Sequence, residues 1–334
     1  QFEMGTNIRS GGNPVEVGVP PRKDTLLKYG PRRSSARVHN CKIMDAILKG
    51  KAGGYPADYK LLYTVNYNYL NQYPNVNKAI KALKMLEFLV VQEQFITATA
   101  KFADIILPVN TFMERNDIVT GGSTPFYGYA HKAIDPLYES KSHLEIAIEL
   151  AARLGISDYN DKTEEEWLRW AVNGCSHIAD YDTFSKNGTH KVQLTEPVIV
   201  FKKQIEDPKN NPFPTPSGKI EIYSQDLADM NNPKIPPVPK YIETWEGYND
   251  PLVEKYPLQL VTTHFKRRAL SQFDNVPWLR ELQTQAVIIN SADAQIRGIS
   301  DGDEVRVFND RGEMIIQAKV TERIMPGVVD IGHG

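Results

Sequence analysis

The sequence has few cysteines, no excess of charge of either sign and no long apolar run. Its 334 residues include two cysteines, Cys41 and Cys175, which excludes a disulfide framework and leaves no spacing typical of a Cys/His metal site. With 39 Lys and Arg against 41 Asp and Glu, the chain lacks the basic field that neutralises a phosphate backbone, so nucleic acid is excluded as the main partner. The strongest apolar runs, residues 88–91 and 103–109, are strand-sized, and we expect no direct membrane insertion.

The sequence also lacks the features that mark the start of many proteins. The first residues include no charged segment followed by an apolar stretch, so no export signal is visible, and the chain does not begin with Met. We expect both ends to be cuts through a longer polypeptide. Residues 1–38 are rich in Gly, Pro and Arg, which predicts an extended surface segment.

From residue 39 onwards, apolar periodicity predicts alternating helices and strands. Helices are predicted at 41–51 and 77–86, and strands at 60–65, 87–92 and 103–109. This alternation is typical of parallel βαβ units, so we predict a layered parallel-sheet α/β domain. Further helices are predicted at 143–155, which ends in Gly155 as a cap, and at 163–174, where Thr163 precedes three carboxylates.

The pattern becomes β-like towards the end of the chain. A short strand is predicted at 219–224, and after a proline-rich linker five more follow at 258–263, 286–290, 303–310, 312–321 and 327–332. The sequence NDRG at 309–312 predicts a hairpin turn, and Asp301–Gly302 predicts a second turn. Short strands at this spacing indicate a small barrel.

Familiar catalytic signatures are absent, and two polar loops contain the chemistry instead. An asparagine-rich loop at 65–77 follows a predicted strand and offers amides for an uncharged ligand such as a nucleobase or pterin, although turn formation explains about half of such asparagines. The loop at 264–275 combines basic and hydroxyl side chains in a donor set that suits a pyrophosphate, and a solvated basic edge is its alternative explanation.

Four segments resemble, in order, the catalytic subunit of the dimethyl sulfoxide reductase family of molybdenum enzymes. They lie at 97–117, 215–225, 256–275 and 289–329. The resemblance implies a molybdenum bis(molybdopterin guanine dinucleotide) cofactor, and an α/β fold with a C-terminal, six-stranded double-psi-type β-barrel. It also implies four parts: a surface segment at 1–38, the α/β dinucleotide-binding domain at 39–135, a helical connecting region at 136–250, and a truncated barrel at 251–334.

The resemblance also assigns site residues. The positions that it assigns to cofactor binding are Asn66, Asn68, Glu93, Thr97, Thr99, Asp104, Thr263, His264, Arg268, Ser271 and Gln272. Three positions depart from the family pattern: Asn66 replaces a glycine, Glu93 stands where Asp is commoner, and Leu270 stands where His is frequent. The resemblance implies that the metal ligand and a 4Fe-4S cluster belong to sequence before Gln1. We therefore expect no catalytic or metal-binding residue here and no activity of this piece alone.

The activity that the resemblance implies is two-electron oxygen-atom transfer, with reduction of dimethyl sulfoxide or related S- and N-oxides in anaerobic respiration. Reduction of selenate or another oxyanion is the alternative within the family. A homologue that serves as a scaffold or in electron transfer without molybdenum is an alternative of another class. The expected partners are an iron–sulfur electron-transfer subunit and a membrane anchor subunit, and the expected location is the periplasm or the outer face of the cytoplasmic membrane.

Overall fold

The structure is a computed structural model that describes residues 37–120, 126–175, 177–193 and 199–333. These residues form two compact units, the first from the described residues up to Gln72 and from 79 to 220, the second from 73–78 and from 221 onwards. All but the last two residues of the predicted surface segment 1–38 lie outside the described residues. None of the described helices is long and apolar enough to span a membrane.

The elements of the first unit include those predicted by the periodicity. Its helices are α1 (Ile43–Lys49), α2 (Tyr69–Gln72), α3 (Val76–Leu83, whose first three residues belong to the second unit), α4 (His143–Arg153), α5 (Glu164–Asn173), α6 (Tyr181–Asn187) and α7 (Lys202–Glu206). Its strands are β1 (Leu61–Val65), β2 (Phe88–Glu93), β3 (Ile105–Pro108), β4 (Asp117–Thr120), β5 (Phe126–Ala130) and β6 (Thr189–Lys191). Short 3-10 helices lie at Asn40–Lys42, Lys51–Gly53 and Ala100–Phe102.

The parallel sheet has the order β1-β2-β3, which confirms the predicted α/β arrangement. Strand β2 is central, and four of its six residues are buried, because a parallel strand covered on both faces takes a continuous apolar run. Parallel strands end at a common edge, so the residues after β1 and β2 lie side by side. The Asn66 N–H donates to the Gln92 carbonyl oxygen at 3.1 Å, which joins the two strand ends.

A small antiparallel sheet with the order β4-β5-β6 packs with α5 and α6 around a second core. Tyr129 and Tyr181 are buried there, and their hydroxyls lie 2.9 Å apart. The predicted start of α5 is confirmed: Thr163 is the N-cap, and Glu166 completes a capping box. Gly155 follows α4 with φ +74, the left-handed conformation that glycine adopts easily after a helix.

Glu114 organises the segment that follows β3. Its buried carboxylate accepts hydrogen bonds from the Thr111 N–H at 2.6 Å, the Leu137 N–H at 2.6 Å and the Ser140 hydroxyl at 3.1 Å. Burial favours the neutral acid, but hydrogen bonds to the backbone of Leu137 and Thr111, with those from side chains, outweigh it and lower the pKa of Glu114 to about 2. The carboxylate is therefore charged at neutral pH and joins the two ends of this segment.

The strand predicted at 219–224 is wrong. These residues pair with no strand, and Ile220 and Ile222 are 72% and 76% exposed. The backbone bonds to loops instead: the Ser224 N–H donates to the Pro237 carbonyl oxygen at 2.8 Å. Alternating apolar residues form a strand only where a neighbouring strand supplies the ladder, and none is present at this place among the described residues.

The second unit contains all five strands predicted near the end of the chain. They are β7 (Gln259–Val261), β8 (Ala286–Ile289), β9 (Glu304–Asn309), β10 (Gly312–Val320) and β11 (Val328–Ile331), with helices α8 (Gln225–Asp229), α9 (Pro277–Leu282) and α10 (Ser291–Ile296) and a 3-10 helix at Pro251–Glu254. The order is β7-β11-β8-β10-β9, and β9 and β10 form the predicted hairpin, in which Asn309 pairs with Gly312.

The five-stranded sheet of the second unit curls around an apolar core that includes Val287, Ile289, Val329 and Ile331. Parallel pairs (β7 with β11, β8 with β10) alternate with antiparallel pairs. Within the described residues no ladder joins the edge strands β7 and β9, so these five strands do not close a barrel. The fold class is confirmed as mixed α/β with a parallel sheet and a curled five-stranded sheet.

Candidate functional site

Asn66 follows β1 at the shared edge of the parallel sheet, where it has a left-handed backbone with φ +50. Asparagine tolerates this conformation better than most residues. Its side-chain Nδ2 lies 2.9 Å from His143 Nε2, and His143 Nδ1 lies 2.5 Å from Gln92 Oε1. Burial, together with the charge of Arg115, lowers the pKa of His143, so the imidazole is neutral at pH 7.

Asn68 and Thr99 come together in the same loop region. Thr99 is fully buried, and its hydroxyl donates to Asn68 Oδ1 at 2.8 Å while its N–H approaches the same oxygen at 3.2 Å. The Thr99 oxygen also accepts from the Leu70 N–H at 3.0 Å. These bonds fix the loop between β1 and α2 to the segment that follows β2.

The other predicted residues of this unit bond locally. Thr97 Oγ1 accepts from the Ala100 N–H at 3.2 Å, and Glu93 Oε1 accepts from the N–H of its neighbour Gln94 at 2.8 Å. Asp104 Oδ2 accepts from the Leu89 N–H at 2.7 Å, so it joins the start of β3 to β2. This contact of Asp104 is structural, while Glu93 and Thr97 lie at the edge of the sheet.

In the second unit, Arg268 lines a cleft of about 260 Å³. Its side chain is 4% exposed, stacks on the Phe265 ring at 4.6 Å and donates from Nη1 to Asp274 Oδ1 at 3.0 Å. Arg280 donates to the other Asp274 oxygen at 2.9 Å. Asp274 thereby holds two guanidinium groups side by side. The polar residues that also line the cleft are Arg267, Gln283, Thr284 and Gln285.

Four further predicted residues of this unit lie near Arg268 in sequence but do not line the cleft. Thr263 Oγ1 donates to Asp330 Oδ2 at 2.9 Å, and the His264 and His333 rings pack edge to face with centroids 4.3 Å apart. Ser271 and Gln272 are exposed in a tight turn, in which the backbones of Ala269 and Gln272 exchange hydrogen bonds at 3.0 and 3.2 Å. Leu270, which follows Ala269 in this turn, has φ +56, a conformation that usually requires glycine.

Sequence reasoning missed Gln92 and His143 in the first unit, and Arg280 in the second. A single histidine has no distinguishing pattern, and Gln92 reads as part of a strand. Arg280 follows the polar loop by several residues in α9, so only the fold brings it to Asp274. The one available signal was the proximity of Arg280 to a cluster that already contained two arginines.

The donor set determines which cofactor these residues fit. Among the described residues, no group of three or more His, Cys, Asp or Glu is arranged to hold a metal ion. Paired guanidinium groups beside Thr and Gln in a cleft suit phosphate oxygens, which accept several hydrogen bonds at once. The amides at the sheet edge suit the polar rim of a heterocycle. Each set, taken by itself, therefore fits a part of the organic portion of a dinucleotide cofactor.

Known proteins share both regions. Residues 29–153 match the molybdopterin oxidoreductase family, and residues 258–334 match the molydopterin dinucleotide binding domain. Dimethyl sulfoxide reductase DmsA of Escherichia coli is 38% identical over 314 residues, which are 87% of this chain and 39% of that protein. A dimethyl sulfoxide/trimethylamine N-oxide reductase of Cereibacter sphaeroides is 37% identical over 303 residues, 85% of this chain and 36% of its own length.

Trimethylamine-N-oxide reductase 1 of Escherichia coli is 32% identical over 371 residues, which cover 100% of this chain and 43% of that protein. The chain thus spans about two fifths of the length of these relatives. The acetylene hydratase of Pelobacter acetylenicus has a similar fold, with a TM-score of 0.68 and 24% identity over 87% of this chain and 39% of its own. That likeness shows the fold alone, while the two family matches and the sequence relatives show that the chain belongs to the molybdopterin oxidoreductases, in the family of the dimethyl sulfoxide reductases.

Proposed function

We propose that this chain binds the organic part of a molybdenum bis(molybdopterin guanine dinucleotide) cofactor in an enzyme of S-oxide and N-oxide reduction. The observation that carries this proposal is the cleft beside Arg268, Arg280 and Asp274, which lies inside the dinucleotide-binding match at 258–334. A cleft with paired guanidinium groups is a poor place for an apolar ligand and a good one for a diphosphate.

In this proposal the polar residues have different tasks. Arg268 and Arg280 hold phosphate oxygens, and Asp274 keeps the two guanidinium groups apart at a fixed spacing. At the sheet edge Thr97 and Glu93 accept only from backbone N–H groups close to them in sequence, and we assign these two side chains to the ligand. Asn66, Thr99 and Asp104 bond to distant parts of the protein, so they position the loops. Ser271 and Gln272, exposed in their turn, bind the cofactor together with His264.

The bound cofactor supplies two-electron oxygen-atom transfer, while this chain binds and orients it. The three relatives named above are dimethyl sulfoxide or trimethylamine N-oxide reductases, which supports an S-oxide or N-oxide as the substrate. Selenate or another oxyanion is the second candidate. We also propose an iron–sulfur subunit and a membrane anchor as partners, a 4Fe-4S cluster in the natural-length protein, and a periplasmic location.

The test is cofactor content in variants of the natural-length protein. Arg268→Ala removes a bidentate partner of a phosphate, which weakens binding about 10- to 100-fold, so molybdenum and pterin per polypeptide fall. Lys266→Ala is the matched control, because Lys266 is exposed, lies two residues away and does not line the cleft. Arg268→Lys retains the charge and tests the bidentate geometry. Unchanged content in Arg268→Ala would refute the assignment of this cleft.

A substrate screen tests the reaction itself. With a reduced dye as electron donor, dimethyl sulfoxide and trimethylamine N-oxide should be reduced faster than selenate at equal concentration. Faster reduction of selenate would favour the oxyanion alternative. Cofactor-loaded protein that reduces none of the three would contradict the proposed reaction while leaving cofactor binding intact.

A further inference from the structure

His143 connects two residues that the sequence places far apart. Its imidazole lies between Gln92 at the end of β2 and Asn66 after β1, with contacts of 2.5 Å on Nδ1 and 2.9 Å on Nε2. It is the first residue of α4, whose N-cap Ser142 has a complete capping box. The ring is thus fixed by its own helix and contacts the sheet edge from one side.

The contacts define the protonation state of the ring. Gln92 Nε2 donates to the Tyr63 hydroxyl, so Gln92 Oε1 faces His143 as an acceptor. Nδ1 must then have the proton, and Nε2 presents a lone pair to the Asn66 amide N–H. The lowered pKa of His143 agrees with this neutral tautomer. Each of the three hydrogen bonds that lead from Tyr63 to Asn66 therefore joins a donor to an acceptor.

This chain of hydrogen bonds ends at the one strained residue of the loop. Asn66 has φ +50, which disfavours residues with a Cβ, and it begins the segment that leads to Asn68. Gln92 is 4% exposed and cannot move with the loop, so the end of the hydrogen-bond series at Gln92 is rigid. A side-chain bond from a rigid base offsets part of the strain and holds the direction in which the loop leaves β1.

We propose that His143 is a positioning residue that holds Asn66 in its left-handed conformation and thereby sets the geometry of the cofactor-binding loop. The proposal rests on the proposed function only for its effect on cofactor content. The effect on the loop itself exists with or without the cofactor. Asparagine suits this position because it tolerates positive φ and supplies the N–H that the ring nitrogen accepts.

The test combines His143→Phe with Asn66→Gly in the natural-length protein. His143→Phe keeps a ring but removes both nitrogens, so amide hydrogen exchange over residues 66–72 of the cofactor-free protein should become about three- to tenfold faster, the effect of one lost hydrogen bond. Cofactor content should fall in the same variant. Adding Asn66→Gly removes the strain that the bond offsets, so the double variant should regain cofactor.

The rescue separates positioning from packing. If His143 only fills space beneath α4, the double variant will contain as little cofactor as His143→Phe, and this result would overturn the proposal. Asn66→Ala keeps His143 and its bond to Gln92 and is a second route if His143→Phe fails to fold: it should speed exchange over 66–72, and unchanged exchange would also overturn the proposal. A wild-type protein without cofactor would refute the proposed function, while the exchange experiment would still test His143.

Discussion

Replacing Thr99 by Val removes one buried hydroxyl at almost constant volume. This hydroxyl accepts from the Leu70 N–H at 3.0 Å and donates to Asn68 Oδ1 at 2.8 Å, and the residue is 0% exposed. In Thr99→Val the Leu70 N–H loses this acceptor, whereas Asn68 Oδ1 keeps the Thr99 N–H at 3.2 Å. The variant therefore leaves the buried Leu70 N–H without an acceptor and loosens the loop that contains Asn68.

The expected loss of stability follows from the Leu70 N–H that has no acceptor. A buried N–H without a partner costs about 1 to 3 kcal/mol in free energy of unfolding. Thr99→Ser keeps the hydroxyl and deletes only a methyl group, which costs about 0.5 to 1.5 kcal/mol. If the hydrogen bonds matter, Thr99→Val is the less stable variant, although it fills the site better. If packing alone matters, the order reverses.

Differential scanning calorimetry of the cofactor-free protein measures this order. We expect a lower transition midpoint for Thr99→Val than for Thr99→Ser, and both below the wild type. Cofactor content should follow the same order, because Asn68 lies at the predicted binding edge. A Thr99→Val protein that melts above Thr99→Ser would refute the structural task assigned to the hydroxyl.

Three further predictions concern stability. Glu114→Gln should lower the free energy of unfolding by about 2 kcal/mol at pH 7, because an amide cannot accept all the hydrogen bonds of the carboxylate. Folding lowers the pKa of Glu114 from 4.5 to about 2, so its contribution to stability is present above pH 4.5 and is lost as the pH falls towards 2. Acid titration of unfolding should therefore show the difference between the wild type and the variant disappearing over that range. Gly302→Ala should cost about 1 to 2 kcal/mol, because φ is +89 there, and an unaltered urea midpoint would contradict it. Arg306→Ala, which breaks an exposed ion pair with Glu313, should change stability by less than about 1 kcal/mol in the same urea assay.

Elements with a strong local pattern could be predicted from the sequence. Continuous apolar runs predicted the three parallel strands, and short apolar or alternating runs predicted the five strands near the end of the chain, because burial determines both the pattern and the fold. The cap at Thr163 and the hairpin at 309–312 depend on neighbouring residues only, and both are confirmed. The strand at 219–224 failed because its pattern needs a neighbour that the fold does not provide.

The candidate site was less accessible to sequence reasoning. The bond between Thr99 and Asn68 joins residues 31 positions apart, and the bond between His143 and Asn66 joins residues 77 positions apart, so no local pattern contains either. Asp104 matched a motif, but its carboxylate bonds to the backbone at Leu89, which only the structure reveals. Motifs identify residue types, while distance and burial decide which of them remain available to a ligand.

We propose that this chain binds a molybdopterin dinucleotide cofactor. The most direct measurement is elemental analysis for molybdenum and tungsten, together with fluorescence of the oxidised pterin, on the natural-length protein from a host that makes the cofactor. We predict that metal and pterin co-purify with the polypeptide. Protein that is folded but contains neither would contradict the claim and favour a scaffold that binds no molybdenum.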